Sequence, residues 1–429
     1  MAGLWGLLAL FALLAAGLWV GLALIATGLG ALALFKSVPP VTVLAFNIWT
    51  GLADAGLAPL PLFILMGELL FRGRVAERLF YALGPFTTWV PGRLLHVNVL
   101  SCALFAAACG SSAATTATVG RITVRELLDR GYDRRLVLGS LCGAGTLGFL
   151  IPPSIVLILY GVLAEVSIVD LFLAGMVPGA LLALAFMAYL AVAGRRAPPP
   201  TTDRDAGHGP GGLTRGRALL DLLPVAALIA AVLGSLYAGL ATPSESAVIG
   251  VAGAAVLAAL DGSLSRAMLA EALRGAVRTV AMLGLILAGA FFLSRVAAYL
   301  GLPQAAAATL AGLDLPPTVL IAALVVLFIG LGMVLDGLSV IVMTLPFTAP
   351  LVAAAGFDAL WFGVFLVIMV EMAQITPPVG FNLYVVQSLT GEPLSRVAWA
   401  SLPFFAIMAA MIVVLVLVPA LATALPAAL

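Results

Sequence analysis

Two proline pairs stand inside hydrophobic sequence, GTLGFLIPPS at residues 145–154 and QITPPVGFN at residues 374–382. A double proline cannot continue an α-helix, because it removes two backbone donors and clashes with the preceding turn. Each stretch therefore predicts a membrane-spanning helix that breaks part-way across the bilayer. The carbonyl groups freed by such a break need a partner in hydrocarbon, which a cation, a water molecule or a neighbouring helix can provide.

The composition around these breaks is that of a polytopic helical membrane protein. The 429 residues are 63% hydrophobic and only 9% charged, against roughly a quarter charged in soluble domains. Such a chain has too few polar residues to cover the surface of a soluble enzyme, and a nucleic-acid-binding protein is excluded for the same reason. We therefore expect a lipid bilayer around the protein and no nucleic acid among its partners.

The basic residues set the expected topology, because cytoplasmic loops of membrane proteins carry most Lys and Arg. Placing the five arginine-containing blocks in the cytoplasm accounts for 18 of the 20 basic residues. The path then begins with spans over 3–20 and 21–36, divided near Gly17–Gly21, continues with a single span over 43–71 and ends with a span over 398–425. It places the N-terminus and the C-terminus in the periplasm. The placement also requires two apolar segments, about 95–120 and about 315–357, to enter and leave the membrane on one side, so each is predicted to be a re-entrant hairpin.

The same elements occur in the same order in the two halves of the chain, with opposite orientation. Residues 1–194 and 218–429 are therefore predicted to be two inverted-topology repeats, joined by a polar, Pro- and Gly-rich cytoplasmic linker at 195–217. The broken helices cover about 136–164 and about 358–390. Inverted repeats with interrupted helices are typical of secondary transporters.

The spacing of prolines supports the repeat. An offset of 225 residues relates the two proline pairs, and the same offset relates Pro178 to Pro403 and Gly110–Ser112 to Leu335–Gly337. Chance agreement in a chain with 26 prolines is the alternative, since the two halves share little other sequence.

The tip of each predicted hairpin carries residues suited to ligand binding. Ser111, Ser112, Thr115 and Thr116 form a hydroxyl cluster in the first hairpin, where helix N-termini directed at the membrane centre attract an anion. Small-residue helix packing explains the same cluster without a ligand. In the second hairpin, Asp336 is a charge at membrane depth, which indicates either an ion site with Gly337 or an N-cap for the following helix.

Oxygen atoms dominate the polar side chains at both predicted breaks. Thr146 and Ser154 flank the first proline pair, and Thr376 and Asn382 flank the second. Oxygen-only ligands favour a hard cation such as Na⁺, so symmetric breaks of this composition predict sodium sites. The alternative is that the prolines only kink the bundle and bind nothing.

The other acidic residues within apolar segments favour simpler roles. Glu245 stands three residues after Thr242, so a capping box at a helix N-terminus is expected there. Glu68 lies close to Arg72 and is expected to pair at the membrane surface. Glu371, six residues before the second proline pair, is a candidate proton or cation group.

Several stretches of the sequence resemble the large membrane subunit of the tripartite ATP-independent periplasmic (TRAP) transporters. The resemblance covers nearly the whole chain, in order. The stretches are Gly110–Gly120, Arg130–Arg134, Gly145–Ser154, Tyr160–Gly161, Leu171–Gly179, Thr242–Ala247, Gly332–Gly337 and Thr376–Asn382.

The resemblance implies an all-α, elevator-type transporter in the bacterial inner membrane that imports an organic acid, a solute with a carboxylate, together with Na⁺. It also implies two partners, a small four-helix membrane subunit and a periplasmic solute-binding protein. The moving domain would consist of residues 95–164 and 279–390. The scaffold would consist of residues 1–71, 168–194, 218–260 and 398–429.

The resemblance also assigns site residues around both hairpin tips and both breaks. The substrate-binding residues would be Ser111, Ser112, Thr115, Thr146 and Asn382. The Na⁺ ligands would be Ser112, Gly145, Thr146, Pro152, Asp336, Gly337, Thr376, Pro377 and Gly380.

Three other functions are compatible with such a chain. A stand-alone sodium/divalent-anion symporter would transport without a binding protein, and a membrane subunit of an ATP-driven importer would associate with a cytoplasmic ATPase. An intramembrane enzyme would need a second buried acid or a His/Ser pair beside Asp336, and the sequence shows no clear one. We therefore expect a transporter rather than an enzyme, driven by an ion gradient.

Overall fold

The computed structural model describes residues 2–196, 214–302, 304, 305, 308, 316–333, 335–378 and 380–428. These residues form 19 α-helices, one 3-10 turn at Ala55–Leu57, and no β-strand. The helices of the first half are α1 (Ala2–Ala15), α2 (Val20–Phe35), α3 (Pro40–Leu52), α4 (Pro59–Arg72), α5 (Val75–Thr87), α6 (Leu95–Cys109), α7 (Ser112–Asp129), α8 (Arg134–Thr146), α9 (Ile155–Ala164) and α10 (Ile168–Arg196). Those of the second half are α11 (Arg215–Tyr237), α12 (Pro243–Leu260), α13 (Arg266–Tyr299), α14 (Pro317–Gly332), α15 (Gly337–Ala354), α16 (Ala359–Gln374), α17 (Phe381–Thr390), α18 (Leu394–Leu417) and α19 (Ala420–Ala428). Most of the predicted linker, residues 197–213, lies outside the described residues.

Seven of the described helices are long and apolar enough to cross a membrane. The longest, α13, has 34 residues, and at 1.5 Å per residue it extends about 50 Å, farther than the roughly 30 Å of a hydrocarbon core. Large apolar side chains such as Leu184 and Leu417 are exposed on the outer surface, as expected where lipid replaces water. The prediction of an all-helical fold is confirmed.

The N-terminal part of the chain contains one more helix than expected. The first hydrophobic run divides between Ala15 and Val20, close to the glycines that predicted a division. The predicted single span over 43–71 is wrong, because α3 and α4 are separate helices. Asp54 accepts a hydrogen bond of 2.6 Å from the backbone N–H of Gly56 and so holds the intervening 3-10 turn.

Two helical hairpins lie at the predicted positions. In the first, α6 and α7 pack against each other and are joined by Gly110 and Ser111. Gly110 has a φ of +62°, a left-handed conformation that glycine adopts without a steric penalty, and Ser111 is the N-cap of α7. In the second hairpin, α14 and α15 pack against each other and Asp336 is the N-cap of α15.

Both predicted helix breaks are present. The first separates α8 from α9 between Thr146 and Ile155, and the second separates α16 from α17 between Gln374 and Phe381. Pro152–Pro153 and Pro377–Pro378 are both cis peptide bonds. The chain therefore leaves the helical conformation at the two motifs that the sequence singled out.

Helix boundaries in the two halves follow the same spacing as the prolines. Each end of α15 lies 225 positions after the corresponding end of α7. The packing is reciprocal as well, because α7 packs against α17 of the second half while α15 packs against α9 of the first. Each hairpin thus lies against the helix that follows the break in the other half.

Two helices pack outside the groups expected for a moving domain and a scaffold. α13, expected to move from residue 279 onward, packs most extensively against α2 and also against α3 and α4. α18, expected in the scaffold from residue 398, packs mainly against α8. Glycine allows this close approach, since a Cβ on Gly139 would lie 2.2 Å from the carbonyl oxygen of Ala400. The predicted final span also ends early, at Leu417, and α19 packs against α10.

Candidate functional site

The tip of the first hairpin is bonded to the second half of the chain. The side-chain amide of Asn382, in the first turn of α17, donates a hydrogen bond of 2.9 Å to the hydroxyl of Ser112. Both side chains are fully buried. Two residues predicted to bind substrate, 270 positions apart, are therefore in direct contact.

The first helix break packs against the same hairpin tip. A Cβ on Gly148 would lie 2.8 Å from the backbone nitrogen of Ser112, and a Cβ on Gly145 would lie 1.9 Å from the hydroxyl of Thr116. Real Cβ contacts are never that short, so only glycine fits at either position. The two glycines of the GTLG sequence thus allow the backbone of the break to pack directly against the hairpin tip.

The tip of the second hairpin lies against both breaks. A Cβ on Gly337 would lie 2.3 Å from a methyl carbon of Val370 and 3.0 Å from Nε2 of Gln374, which precede the second break. The same Cβ would lie 3.1 Å from the ring of Phe149 in the first break. Both hairpin tips and both breaks are therefore neighbours, as the sequence predicted.

Several buried oxygen atoms around these contacts have no hydrogen-bond donor among the described residues. They are the hydroxyl of Thr115 and the amide oxygens of Gln374 and Asn382. An unpartnered buried oxygen is costly in a native structure and indicates an unfilled requirement for a donor or a cation. All three are neutral oxygens, the donor type that a hard cation prefers.

Hydroxyl groups at the breaks bond to their own preceding turns. Thr146 donates to the carbonyl oxygen of Gly143 at 2.7 Å, and Thr376 donates to that of Met372, also at 2.7 Å. Ser154 donates to the carbonyl oxygen of Phe149 and accepts a bond of 3.3 Å from the N–H of Leu157. The hydroxyl protons of Thr146 and Thr376 are therefore engaged within the protein.

The two breaks differ in their exposure. Pro152 is buried, whereas Pro377 is exposed and Thr376 is half-buried. A cavity of about 570 Å³ lies between the second break and α18. Its lining includes Ile375, Thr376, Pro377, Pro378, Trp399 and Phe405. The second break therefore lies at an open, mainly apolar surface, whereas the first break is enclosed.

Asp336 is the N-cap of α15 at the tip of the second hairpin. Its carboxylate accepts a hydrogen bond of 3.2 Å from the N–H of Ser339 and another from the Ser339 hydroxyl. The residue is exposed rather than buried, so its charge remains accessible to solvent or an ion. The neighbouring Gly337 is buried.

Two structural expectations for other acids are confirmed. Thr242 and Glu245 form a reciprocal capping box at the start of α12. Glu68 and Arg72 form an ion pair of 3.2 Å on α4. Neither Glu245 nor Glu68 takes part in the contacts described above between the hairpin tips and the helix breaks.

Sequence reasoning left Gln374 out of the site. Gln374 is the first residue of the second break motif and the last residue of α16. Its side chain lies against Gly337 at the second hairpin tip, and its amide oxygen has no hydrogen-bond partner among the described residues. An amide at the end of the apolar helix α16 was the available signal, because a buried polar side chain in a membrane segment needs a reason.

A family model places this arrangement among known proteins. The DctM component of the tripartite ATP-independent periplasmic transporters matches residues 7–421. The chain belongs to this family. It is a TRAP transporter large permease and a multi-pass inner-membrane protein.

Characterised relatives of this permease have different substrates in their names. It is 33% identical over 389 residues to the C4-dicarboxylate TRAP transporter large permease protein DctM of Pseudomonas aeruginosa, covering 90% of each chain. It is 28% identical to the ectoine/5-hydroxyectoine permease UehC of Ruegeria pomeroyi, covering 92% of this chain and 91% of that protein. It is 29% identical to the sialic acid permease SiaM of Vibrio cholerae, covering 91% and 90%. These relatives are transporter permeases, not enzymes.

Solved structures of two other transporters share the fold. The Alcanivorax borkumensis YdaH transporter superimposes with a TM-score of 0.65 at 15% identity, covering 87% of this chain and 86% of that one. Neisseria gonorrhoeae MtrF superimposes with a TM-score of 0.61 at 11% identity, covering 88% and 83%. At these identities the likeness shows the fold alone.

Proposed function

We propose that this TRAP permease imports an organic acid together with Na⁺, receiving the solute from a periplasmic binding protein. The bond between Ser112 and Asn382 is the observation that carries the proposal. It joins a hairpin tip of one half to the broken helix of the other, at a place where buried oxygens lack partners. A ligand held there contacts both halves of the protein at once.

Sodium is the ion that this donor set favours. The described residues contain no group of three or more His, Cys, Asp or Glu that would hold a transition metal. What they offer instead is hydroxyl, amide and backbone carbonyl oxygen. We assign one Na⁺ site to the first hairpin and first break, with Ser112, Gly145, Thr146 and Pro152. We assign a second to the other hairpin and break, with Asp336, Gly337, Thr376, Pro377 and Gly380.

The substrate carboxylate would lie at the N-terminus of α7. This helix starts at the site, and the positive end of a helix dipole favours an anion. Ser111, Ser112, Thr115, Thr146 and Asn382 supply hydroxyl and amide groups around that end. C4-dicarboxylates, sialic acid and ectoine, named for the relatives, all carry a carboxylate. That shared group supports the organic-acid class.

Transport would proceed by alternating access between two inverted repeats, 1–194 and 218–429. The repeated helix boundaries and the reciprocal packing of each hairpin on the opposite half support this division. We propose that the hairpins and broken helices move as an elevator, with α18 moving alongside α8 and α13 remaining with α2 to α4. A small four-helix membrane subunit would complete the scaffold, with both termini of this chain in the periplasm.

Sodium coupling is tested by the thermal stability of the purified protein in NaCl, KCl and choline chloride at equal ionic strength. A ligand present at ten times its dissociation constant should stabilise the folded state by about 1.4 kcal/mol. We expect a saturable stabilisation in NaCl alone. Identical unfolding curves in the three salts would argue against Na⁺ sites and favour a membrane subunit driven by a separate ATPase.

Substrate class and partner dependence are tested by uptake of radiolabelled succinate, N-acetylneuraminic acid and ectoine into proteoliposomes. These contain the permease with its small subunit, with or without the binding protein. We expect uptake of one acid that requires both a Na⁺ gradient and the binding protein. Equal uptake without the binding protein would favour a stand-alone symporter.

A further inference from the structure

Glu371 is a buried acid that the proposed transport site does not use. It lies in the last part of α16, and its side chain has no solvent exposure. Neither carboxylate oxygen forms a hydrogen bond with a described residue. An ionised carboxylate in such surroundings is strongly disfavoured unless a cation or a set of donors accompanies it. The side chain therefore needs either a proton or a bound cation.

No charged side chain of a described residue supplies that partner. α16 packs against α8, α9, α10, α14, α15, α17, α18 and α19. α14, α15 and α19 carry no titratable residue within their described bounds. The titratable residues of the others are Arg134, Arg135, Cys142, Tyr160, Asp170, Tyr189, Arg195, Arg196, Tyr384 and Arg396, and the caps of α8, α9, α15 and α16 add Asp133, Glu165, Asp336 and Asp358. None of them forms a hydrogen bond with the Glu371 carboxylate.

Two backbone N–H groups of the first break lie beside the carboxylate. They belong to Phe149 and Leu150, and neither donates a hydrogen bond to it. Each remains bonded to its own turn, to the carbonyl oxygens of Thr146 at 3.2 Å and Leu147 at 3.3 Å. A small movement of the break would therefore change how well the charged form of Glu371 is stabilised.

The second hairpin tip covers the neighbours of Glu371. Gly337 lies against Val370, which precedes Glu371, and against Gln374 and Phe149. The adjoining Asp336 is exposed at the surface of the structure. The outer side of the tip is therefore open, whereas the Glu371 carboxylate is fully enclosed. Movement of the tip would open Glu371 to water.

We propose that Glu371 is a proton-binding site whose proton exchanges with water when the second hairpin tip moves. The step adds one proton from water to a carboxylate oxygen or returns it to water, with no other bond changed. This inference rests on the proposed function in one respect, the link between Glu371 and Na⁺. A cation at the first break and a proton on Glu371 oppose each other, so each lowers the affinity of the other reciprocally.

The internal repeat relates Glu371 to a residue of the first half. Glu371 lies 225 positions after Thr146, so the two residues correspond in the two halves. The first half has a neutral hydroxyl where the second half has an acid. The two halves would therefore differ in what they bind, a metal cation in one and a proton in the other.

The first test measures the infrared C=O stretch of protonated carboxylic acids in the purified protein between about pH 5 and about pH 9. We expect a band that disappears as the pH rises and that is absent from Glu371→Gln. Glu77→Gln, which changes an exposed acid on α5, should keep the band. A Glu371-dependent band that persists over the whole range would show a permanently neutral structural acid and overturn the proposal. So would the lack of any band that depends on Glu371.

The second test measures the Na⁺ concentration for half-maximal stabilisation at several pH values. In the wild type and Glu77→Gln it should rise as the pH falls, by at most about tenfold per unit because one proton replaces one Na⁺. Glu371→Gln should remove the dependence, and Glu371→Asp should restore it in part. Equal pH dependence in the wild type and Glu371→Gln would overturn the link. A protein without Na⁺ stabilisation at any pH would contradict the proposed function, and the infrared titration would still decide the role of Glu371.

Discussion

The amide of Asn382 and the hydroxyl of Ser112 form a hydrogen bond of 2.9 Å between two side chains that are each fully buried. Asn98 and Ser140 form a bond of the same length, also between fully buried side chains, where α6 packs against α8. The chain therefore contains two matched Asn–Ser pairs, only one of which lies at the hairpin tip and the break. Comparing alanine variants of the two asparagines separates the stability lost with a buried hydrogen bond from the loss of a ligand-binding site.

Asn382→Ala should lower the free energy of unfolding by about 1–3 kcal/mol, because it leaves the Ser112 hydroxyl buried without its donor. It should also reduce Na⁺-dependent stabilisation and uptake, since the Asn382 oxygen has no other partner. Asn98→Ala should lower stability by a similar amount and leave the response to Na⁺ unchanged. Equal loss of the Na⁺ response in both variants would mean that Asn382 acts only through packing.

Gly145→Ala should disrupt the contact between the first break and the first hairpin. The added Cβ would lie 1.9 Å from the Thr116 hydroxyl, so overpacking should cost about 1–3 kcal/mol in the free energy of unfolding. Gly284→Ala, in the interior of α13 where a Cβ would meet nothing within 4 Å, should not destabilise the protein and should add about 0.5–1 kcal/mol to the free energy of unfolding, because alanine favours a helix over glycine. Thermal unfolding of the two variants checks the comparison.

The same contact makes a double substitution informative. Adding Thr116→Ala removes the hydroxyl that the new Cβ would strike, so it should recover part of the stability lost in Gly145→Ala. The recovery appears as a non-additive free energy in a double-mutant cycle. Strictly additive losses would show that Gly145 is needed for a reason other than its distance from Thr116.

Much of this architecture was readable from local sequence. The proline pairs, the Gly110–Ser111 turn and the capping pattern of Thr242 and Glu245 each break or start a helix through their own backbone chemistry. The division between α3 and α4 was missed, because apolar residues continue across Asp54 and only one carboxylate holds the turn.

Contacts between distant segments were beyond sequence reasoning. The packing of α18 on α8 depends on how closely Gly139 approaches Ala400, and a single sequence carries no record of which helices meet. The contact of Ser112 with Asn382 was implied only by the family resemblance, which assigned both residues to one site. The position of Gln374 required the three-dimensional path of the second hairpin.

Asp336→Asn separates capping from ion binding at the second hairpin. Asparagine caps a helix about as well as aspartate, so the variant should insert and fold with its stability in choline chloride nearly unchanged. Loss of the charge should remove much of the Na⁺-specific stabilisation, about 1.4 kcal/mol at ten times the dissociation constant. Asp358→Asn, at the N-cap of α16, should keep it. A wild-type Na⁺ response in Asp336→Asn would leave this residue as a cap alone.

Glu392 connects the two halves of the chain on the loop between α17 and α18. It pairs with Arg134 at the start of α8 and with Arg396 at 2.6 Å. Burial alone would raise the pKa of this carboxyl, but the guanidinium groups of Arg396 and Arg134 hold the pKa below its ordinary value. A carboxyl whose pKa is lowered on folding stabilises the protein above its unfolded-state value of about 4.3.

That stabilisation should be complete near neutral pH and disappear as the pH falls through the folded-state pKa of Glu392. Glu392→Gln should therefore lower the unfolding temperature at pH 7 and make its decline in acid less steep. Asp129→Asn, which removes an exposed pair with Arg125 at 3.6 Å, should change neither, because exposed pairs contribute little. Thermal unfolding of the three proteins from about pH 3 to about pH 7 checks this. Parallel curves for the wild type and Glu392→Gln would mean that the ion pairs between α8 and the α17–α18 loop do not stabilise the contact of the two halves.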